Sequence, residues 1–156
     1  MATYTEQMQK IWRLYEEDGQ PLPATARDVA AWAVRNKLWV PQPADVIAQC
    51  AEDLSRALRE EYHKDKRGRR VRSKHAVRVN QGGKQITLWA DMKTAPRKHM
   101  EMAFSQRRQQ IVGDCVQLSR DVASYNEEHA DQQPIQLVLD FTDDVREAEF
   151  GDEAAA

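Results

Sequence analysis

Nine cations crowd one short stretch of this chain: Lys64, Lys66, Arg67, Arg69, Arg70, Arg72, Lys74, Arg78 and Lys84, against a single acid, Asp65. Such a cluster repels itself unless it is solvated or matched to anions. DNA carries one negative charge per ~1.7 Å of duplex axis, and neutralising several phosphates releases condensed counterions. The chemistry on offer is therefore phosphate neutralisation. DNA is the expected partner, and RNA is served by the same charges. A solvated loop, or one folded onto the chain's own acidic end, is the plainer alternative. Gly68 and Gly82-Gly83 interrupt the stretch and would let the backbone approach a phosphate closely.

The overall charge conceals this block. The chain of 156 residues has a formal net charge of −2. Yet residues 62–84 hold nine Lys/Arg and one Asp, net +8, while residues 127–156 hold one Arg and ten Asp/Glu, net −9. Asymmetry of this kind points to an anionic partner and a solvated acidic tail.

A second candidate lies just before that tail. Gln136-Leu137-Val138-Leu139-Asp140-Phe141 follows Pro134 and resembles the short peptide with which bacterial polymerases and repair proteins dock on the β sliding clamp. The resemblance implies a partner-docking role in which Gln136 anchors by hydrogen bonds while Leu137, Leu139 and Phe141 enter apolar pockets from an extended chain. Ile135, Leu137, Leu139 and Phe141 also alternate with period two, as in a half-buried strand. Both readings stand at this level.

Catalytic and metal chemistry find no comparable support. His63, His75, His99 and His129 are scattered, and none has metal-type spacing with Cys50 or Cys115. There is no phosphate-cradling Gly-rich loop after a strand, no nucleophile elbow and no defensible carboxylate pair; Asp143-Asp144 belongs to the tail. A non-enzymatic protein without metal or cofactor is expected. His63 and His75 lie among like charges that disfavour their protonation. Trp12 and Trp32 fall on apolar helix faces and are expected in the core, Trp39 is expected to seal a turn, and Trp89 to close the core or brace a helix. No apolar run approaches the ~20 residues of a membrane span, and no secretory signal opens the chain, so a cytoplasmic location is expected.

The elements that must position these residues follow from periodicity. Met8, Ile11, Trp12 and Tyr15 mark a helix over 5–17, closed by Asp18-Gly19. Thr25 and Asp28 form a capping-box-like pair opening a second helix, whose apolar face is Val29, Trp32 and Ala33 and which ends near Asn36. A third helix is predicted from about Pro43 to Tyr62, with Val46, Ile47, Cys50, Leu54, Ala57 and Leu58 as a buried stripe. Val77, Val79, Ile86 and Leu88 flank Gly82-Gly83 as a hairpin. A long helix is predicted over 94–129, with Thr94 as N-cap and Pro96 in the first turn. Phe104, Ile111, Leu118 and Tyr125 recur every seven residues along it, and Cys115 and Val122 fill the alternate seam position, which points to self-association as a homodimer.

Three helices, a basic segment and a hairpin form the element order of a winged helix-turn-helix. The stretch Gly19-Gln20-Pro21-Leu22, Arg27-Asp28-Val29-Ala30 and Lys37-Leu38-Trp39 resembles the signature of HARE-HTH domains, and Leu54 with Ala57-Leu58-Arg59-Glu60-Glu61 resembles the end of that family's third helix. The likeness covers about residues 5–90. It implies a mainly α fold with a small hairpin as the wing, of the kind found in the RNA polymerase delta subunit, some restriction enzymes and chromatin-associated proteins. The expected organisation is a winged-helix domain over 5–92, a long helix over 94–129 for dimerisation, and an extended acidic tail over 130–156. The expected function is DNA binding through the basic arm and wing in a bacterial or phage transcription or replication accessory protein, recruited to a sliding clamp. The third helix is a poor base reader, because Glu52 and Asp53 would lie near phosphates. An adaptor or antitoxin-like interaction module on the same scaffold is the alternative.

Overall fold

The computed structural model describes residues 1–41 and 46–155, the last four of these by backbone only. In order they form α1 (Tyr4–Glu17), α2 (Ala26–Arg35), α3 (Val46–Arg59), β1 (Tyr62–Lys64), β2 (Arg70–Arg72), β3 (Lys74–Gln81), β4 (Lys84–Asp91), α4 (Arg97–Glu128) and α5 (Thr142–Ala155). The fold is mainly helical with a small antiparallel β component, as expected. The predicted start of the third helix at Pro43 lies outside the described residues. Two compact units divide the chain, Met1–Gln49 and Cys50–Ala156. The division falls within α3, whereas the sequence reading placed a boundary after residue 92.

The first unit is built by two capping boxes. Thr3 Oγ1 accepts the Glu6 N–H at 3.2 Å while Glu6 returns a bond to the Thr3 N–H, and Thr25 and Asp28 repeat the pattern on α2. The helices pack through Ile11, Tyr15, Val29, Trp32 and Ala33. Tyr15 meets Trp32 edge to face at 5.4 Å, and its hydroxyl donates to the Pro21 carbonyl at 2.9 Å. Gly19 takes φ +74° after the C-cap Asp18, the left-handed conformation expected of it. Trp39 packs against this core and donates its indole N–H to Tyr4 at 2.9 Å. Trp12 departs from expectation: it stacks on Tyr15 but stays exposed, because its position on α1 lies at the rim of the Ile11–Tyr15 stripe.

In α3 the predicted buried stripe does not form. The helix buries none of its residues, and Leu54 is 56% exposed. Its amphipathic spacing is real, but the described core of the first unit is made by α1 and α2 residues.

The second unit contains two successive hairpins where one was predicted. In the first, β1 pairs with β2 in the register Tyr62↔Arg72, His63↔Val71 and Lys64↔Arg70. In the second, β3 pairs with β4 from Lys74↔Asp91 to Gln81↔Lys84. Gly82 and Gly83, at φ +58° and +79°, supply the two left-handed residues of the two-residue turn. Ser73 alone separates β2 from β3 and is buried. Its N–H donates to the Glu61 carbonyl at 3.0 Å, its carbonyl accepts the Met92 N–H at 2.8 Å, and its hydroxyl is hydrogen-bonded to His63 Nδ1 at 2.7 Å.

Along β3, alternation buries His75 and Val77, which pack beside Ala103 of α4, itself fully buried. The helix also satisfies the strand's polar backbone. Gln106 accepts the Arg78 N–H at 2.8 Å and donates to the Arg78 carbonyl at 2.9 Å; His99 Nε2 donates to the His75 carbonyl at 2.9 Å. An exposed strand edge is thereby closed by side chains rather than by another strand. Pro96, not Thr94, occupies the N-cap of α4, and no side chain caps it. At 1.5 Å per residue its 32 residues extend about 48 Å. Phe104, Ile111, Leu118 and Tyr125 are all more than 40% exposed.

Residues 133–141 form no strand. Asn126 of α4 pairs with both backbone groups of Ile135, at 2.9 and 3.1 Å, so the segment is anchored to a helix. The acidic end is not an extended tail, because Thr142–Ala155 is helical. Asp140 Oδ1 accepts the Thr142 N–H, and Asp143 and Asp144 sit in the first turn, where carboxylates complement the helix dipole.

Candidate nucleic-acid interface

The basic arm is a structured hairpin organised by its one acid. Asp65 Oδ1 accepts the backbone N–H groups of Arg67 and Arg69, each at 2.9 Å, and Oδ2 takes the Arg69 guanidinium at 2.8 Å. The Asp65 backbone closes the same loop, its N–H bonding the Arg69 carbonyl and its carbonyl the Gly68 N–H. Gly68 supplies the left-handed turn residue at φ +77°. The Arg69 side chain, then these backbone N–H groups, hold the Asp65 carboxyl below its ordinary range. Arg69 is therefore committed to the loop, while Lys66 and Arg67 project from its tip without an ion-pair partner among the described residues.

Lys74 is committed in the same sense. Its Nζ bridges Asp91 at 2.9 Å and Glu61 at 3.4 Å, across the Ser73 junction. The Asp91 bond raises the Lys74 pKa and lowers that of Asp91. The pair ties the second hairpin's open end to the residue preceding the first. Arg70 lies over the Tyr62 ring, 3.9 Å from its centroid, which holds its guanidinium flat against β1. Lys64 sits opposite Arg70 in the ladder, and Lys84 closes the Gly82-Gly83 turn.

Arg72, Lys74 and Arg78 also come together at a cavity of about 130 Å³ between the β3–β4 hairpin and α4. Arg59 and Arg107 complete its cationic lining, with no carboxylate among the lining residues. Arg59 lies 5.6 Å from the Trp89 ring centroid, so Trp89 supports the site's wall rather than an apolar core. Burial, then the neighbouring Arg72, push the Arg107 pKa downward. His75 lines the cavity at 3% exposure; its Nε2 donates to the Arg72 carbonyl at 2.9 Å, and its buried Nδ1 has no hydrogen-bond partner. Its pKa is lowered first by burial, then by Arg107, Arg72 and His99. Like-charge neighbours act as expected from sequence, but desolvation dominates.

Sequence reasoning missed Arg59, Arg107, Gln106 and Trp89 as members of this site. A signal existed: His99, Ala103, Gln106 and Gln110 recur at helical spacing, a polar stripe broken by one small residue, which is the face α4 turns toward β3.

Residues 136–141 lie elsewhere in this unit. Leu139 and Phe141 line an apolar groove with Ile111, Val112, Cys115 and Val116 of α4. Leu137 is half-buried, whereas Gln136 and Val138 are exposed. Of the alternating residues, Leu139 and Phe141 thus share a groove on α4 while staying 43% and 41% exposed, and Ile135 is 55% exposed. Both cysteines are free, and among the described residues no group of His, Cys, Asp and Glu is placed to hold a metal. Among the described residues, no helix is long and apolar enough to cross a membrane. No protein-family model, curated protein or solved structure matches the chain.

Proposed function

We propose that this protein is a non-enzymatic nucleic-acid-binding protein that grips the phosphate backbone of DNA with its two hairpins. One observation carries the reading: the basic arm is held in shape by Asp65, leaving Lys64, Lys66, Arg67, Arg70, Arg72, Arg78 and Lys84 without carboxylate partners among the described residues. A cation already neutralised by a carboxylate releases no counterion on meeting a phosphate; these seven do. Contacts of this kind position a protein on a duplex without reading its sequence.

In this reading β3–β4 is the wing of a winged-helix arrangement, supported by the element order of three helices followed by strands. Base reading by α3 is not part of the proposal, given Glu52 and Asp53 on its surface. Clamp docking by Gln136, Leu137, Leu139 and Phe141 remains part of it, with a condition: Leu139 and Phe141 must first leave the α4 groove. Self-association along α4 is supported by its exposed heptad residues.

Gel shift with a random-sequence duplex tests the central claim. Charge reversal at Arg67, Arg70 and Arg72 should abolish the shift while leaving the circular dichroism spectrum unchanged. Undiminished binding by that variant refutes the proposal. Absence of binding by the unaltered protein even at low salt would favour the adaptor or antitoxin-like module, whose motivation is the apolar α4 groove.

A further inference from the structure

The arginine-lined cavity asks for more than a share of a duplex backbone. A backbone phosphodiester carries one charge, and a flat cationic surface suffices for it. Here Arg59, Arg72, Arg78 and Arg107 converge on one cavity with no carboxylate in its lining. Guanidiniums are planar forks matched to phosphate oxygens, and several converging on one point match a dianion with three terminal oxygens. A phosphomonoester carries about −1.5 to −2 at neutral pH.

Size agrees with this. An engineered cavity of ~150 Å³ accommodates benzene, a molecule of similar bulk to a phosphoryl group. About 130 Å³ therefore has room for a phosphoryl group. A second, independent observation comes from His75. Its Nε2 is a donor, since it bonds a carbonyl oxygen, so Nδ1 of the neutral ring is a buried acceptor with nothing to accept. Buried polar atoms are nearly always satisfied. His75 lines the cavity, and its buried Nδ1 becomes a donor when the ring takes a proton. The groups around it are Arg72 on β2, Lys74 on β3, and His99 and Arg107 on α4, all cationic or ionisable to cations. An anion in the cavity offsets that repulsion.

We infer that the cavity between β3–β4 and α4 is a binding site for a phosphomonoester dianion, with the terminal phosphate of a nucleic-acid strand as the source that the adjoining basic hairpins favour. The choice of source rests on the function proposed above; the phosphate chemistry does not. Free phosphate or a small phosphorylated molecule shares that chemistry.

The test compares one duplex bearing phosphorylated ends with the same duplex bearing hydroxyl ends, by fluorescence anisotropy, and measures inorganic phosphate binding by calorimetry. One added charge-assisted hydrogen bond, at the weak end of its range, translates into about a tenfold preference for the phosphorylated ends. Arg107→Gln should erase that preference while hydroxyl-ended binding persists. Arg59→Gln, on an exposed helix position, repeats the test if the first variant folds poorly. Equal affinity for both duplexes, with no calorimetric signal for phosphate, overturns the inference and leaves the backbone-binding reading intact. Phosphate binding that Arg107→Gln removes, in a protein that binds no duplex, overturns that reading and supports the site with a small molecule as its source.

Discussion

Replacing cations that the fold leaves unpaired should alter the salt dependence of binding, whereas replacing a paired one should not. Of the nine basic residues in 62–84, Arg69 and Lys74 are held by carboxylates. If the other seven all meet phosphates, the slope of log affinity against log salt is about −6, at ~0.9 per contact on duplex DNA. Raising salt fourfold would then weaken binding by roughly 10³- to 10⁴-fold. Lys66→Gln with Arg67→Gln, at the tip of the arm, should flatten the slope by about two. Arg69→Gln should flatten it by less than one, because that guanidinium already lies 2.8 Å from Asp65. Anisotropy titrations of a labelled duplex at several salt concentrations give these slopes directly. A slope shallower than about −2 for the unaltered protein, or equal effects of Arg67→Gln and Arg69→Gln, refutes the reasoning.

Other outcomes follow from the geometry of the second unit. Gln106→Ala removes two hydrogen bonds at a solvent-reachable strand edge and should cost about 1–2 kcal/mol, read as a lower urea midpoint with an unchanged m-value; an unmoved midpoint would show that water replaces the amide fully. The lowered pKa of His75 means the unfolded chain takes up protons first as pH falls below 6.5, so stability is complete above that value and declines toward the folded pKa. Thermal melting across this interval should show the decline, and His75→Gln should flatten it; the lowered Asp65 and Asp91 act separately, near and below 3.8. Gly83→Ala meets nothing within 4 Å but forces a left-handed alanine, costing about 1–2 kcal/mol in the same denaturation assay, and a neutral result would contradict the turn assignment. Leu118→Glu, on an exposed position of α4, should leave melting within about 0.5 kcal/mol of wild type yet abolish any dimer in sedimentation experiments.

The elements written in local rules were readable from sequence. Thr25 caps a helix, Gly19 ends one, and Gly82-Gly83 turn a hairpin, because each effect is settled within four residues. The Thr3–Glu6 box obeys the same rule but lies ahead of the apolar stripe that marks the helix from residue 5. What failed depended on tertiary partners. The apolar spacing of α3 says which face could be buried, not that anything buries it. The period-two run at 135–141 says that alternate residues share a face, and a helix groove uses that as readily as a sheet does. The basic block is legible as charge, but composition alone shows Asp65 only as one acid among nine cations. Its position four residues before Arg69, with Gly68 between, was the signal for a second hairpin. Arg59 and Arg107 lie outside the charge block, on α3 and α4, so the block alone does not mark them as members of the site.

Asp65 also has a kinetic consequence. A disordered basic segment must order itself on its partner, at a cost of roughly 1–2 kcal/mol per backbone residue fixed. Here a carboxylate inside the loop already occupies the backbone N–H groups of Arg67 and Arg69, much as a bound anion would. In the proposed binding, the arm would therefore meet a phosphate surface as a rigid tooth rather than a flexible tether. Encounter and final complex would then differ little in conformation, and association would run at the rate set by diffusion and the long-range field rather than by a folding step.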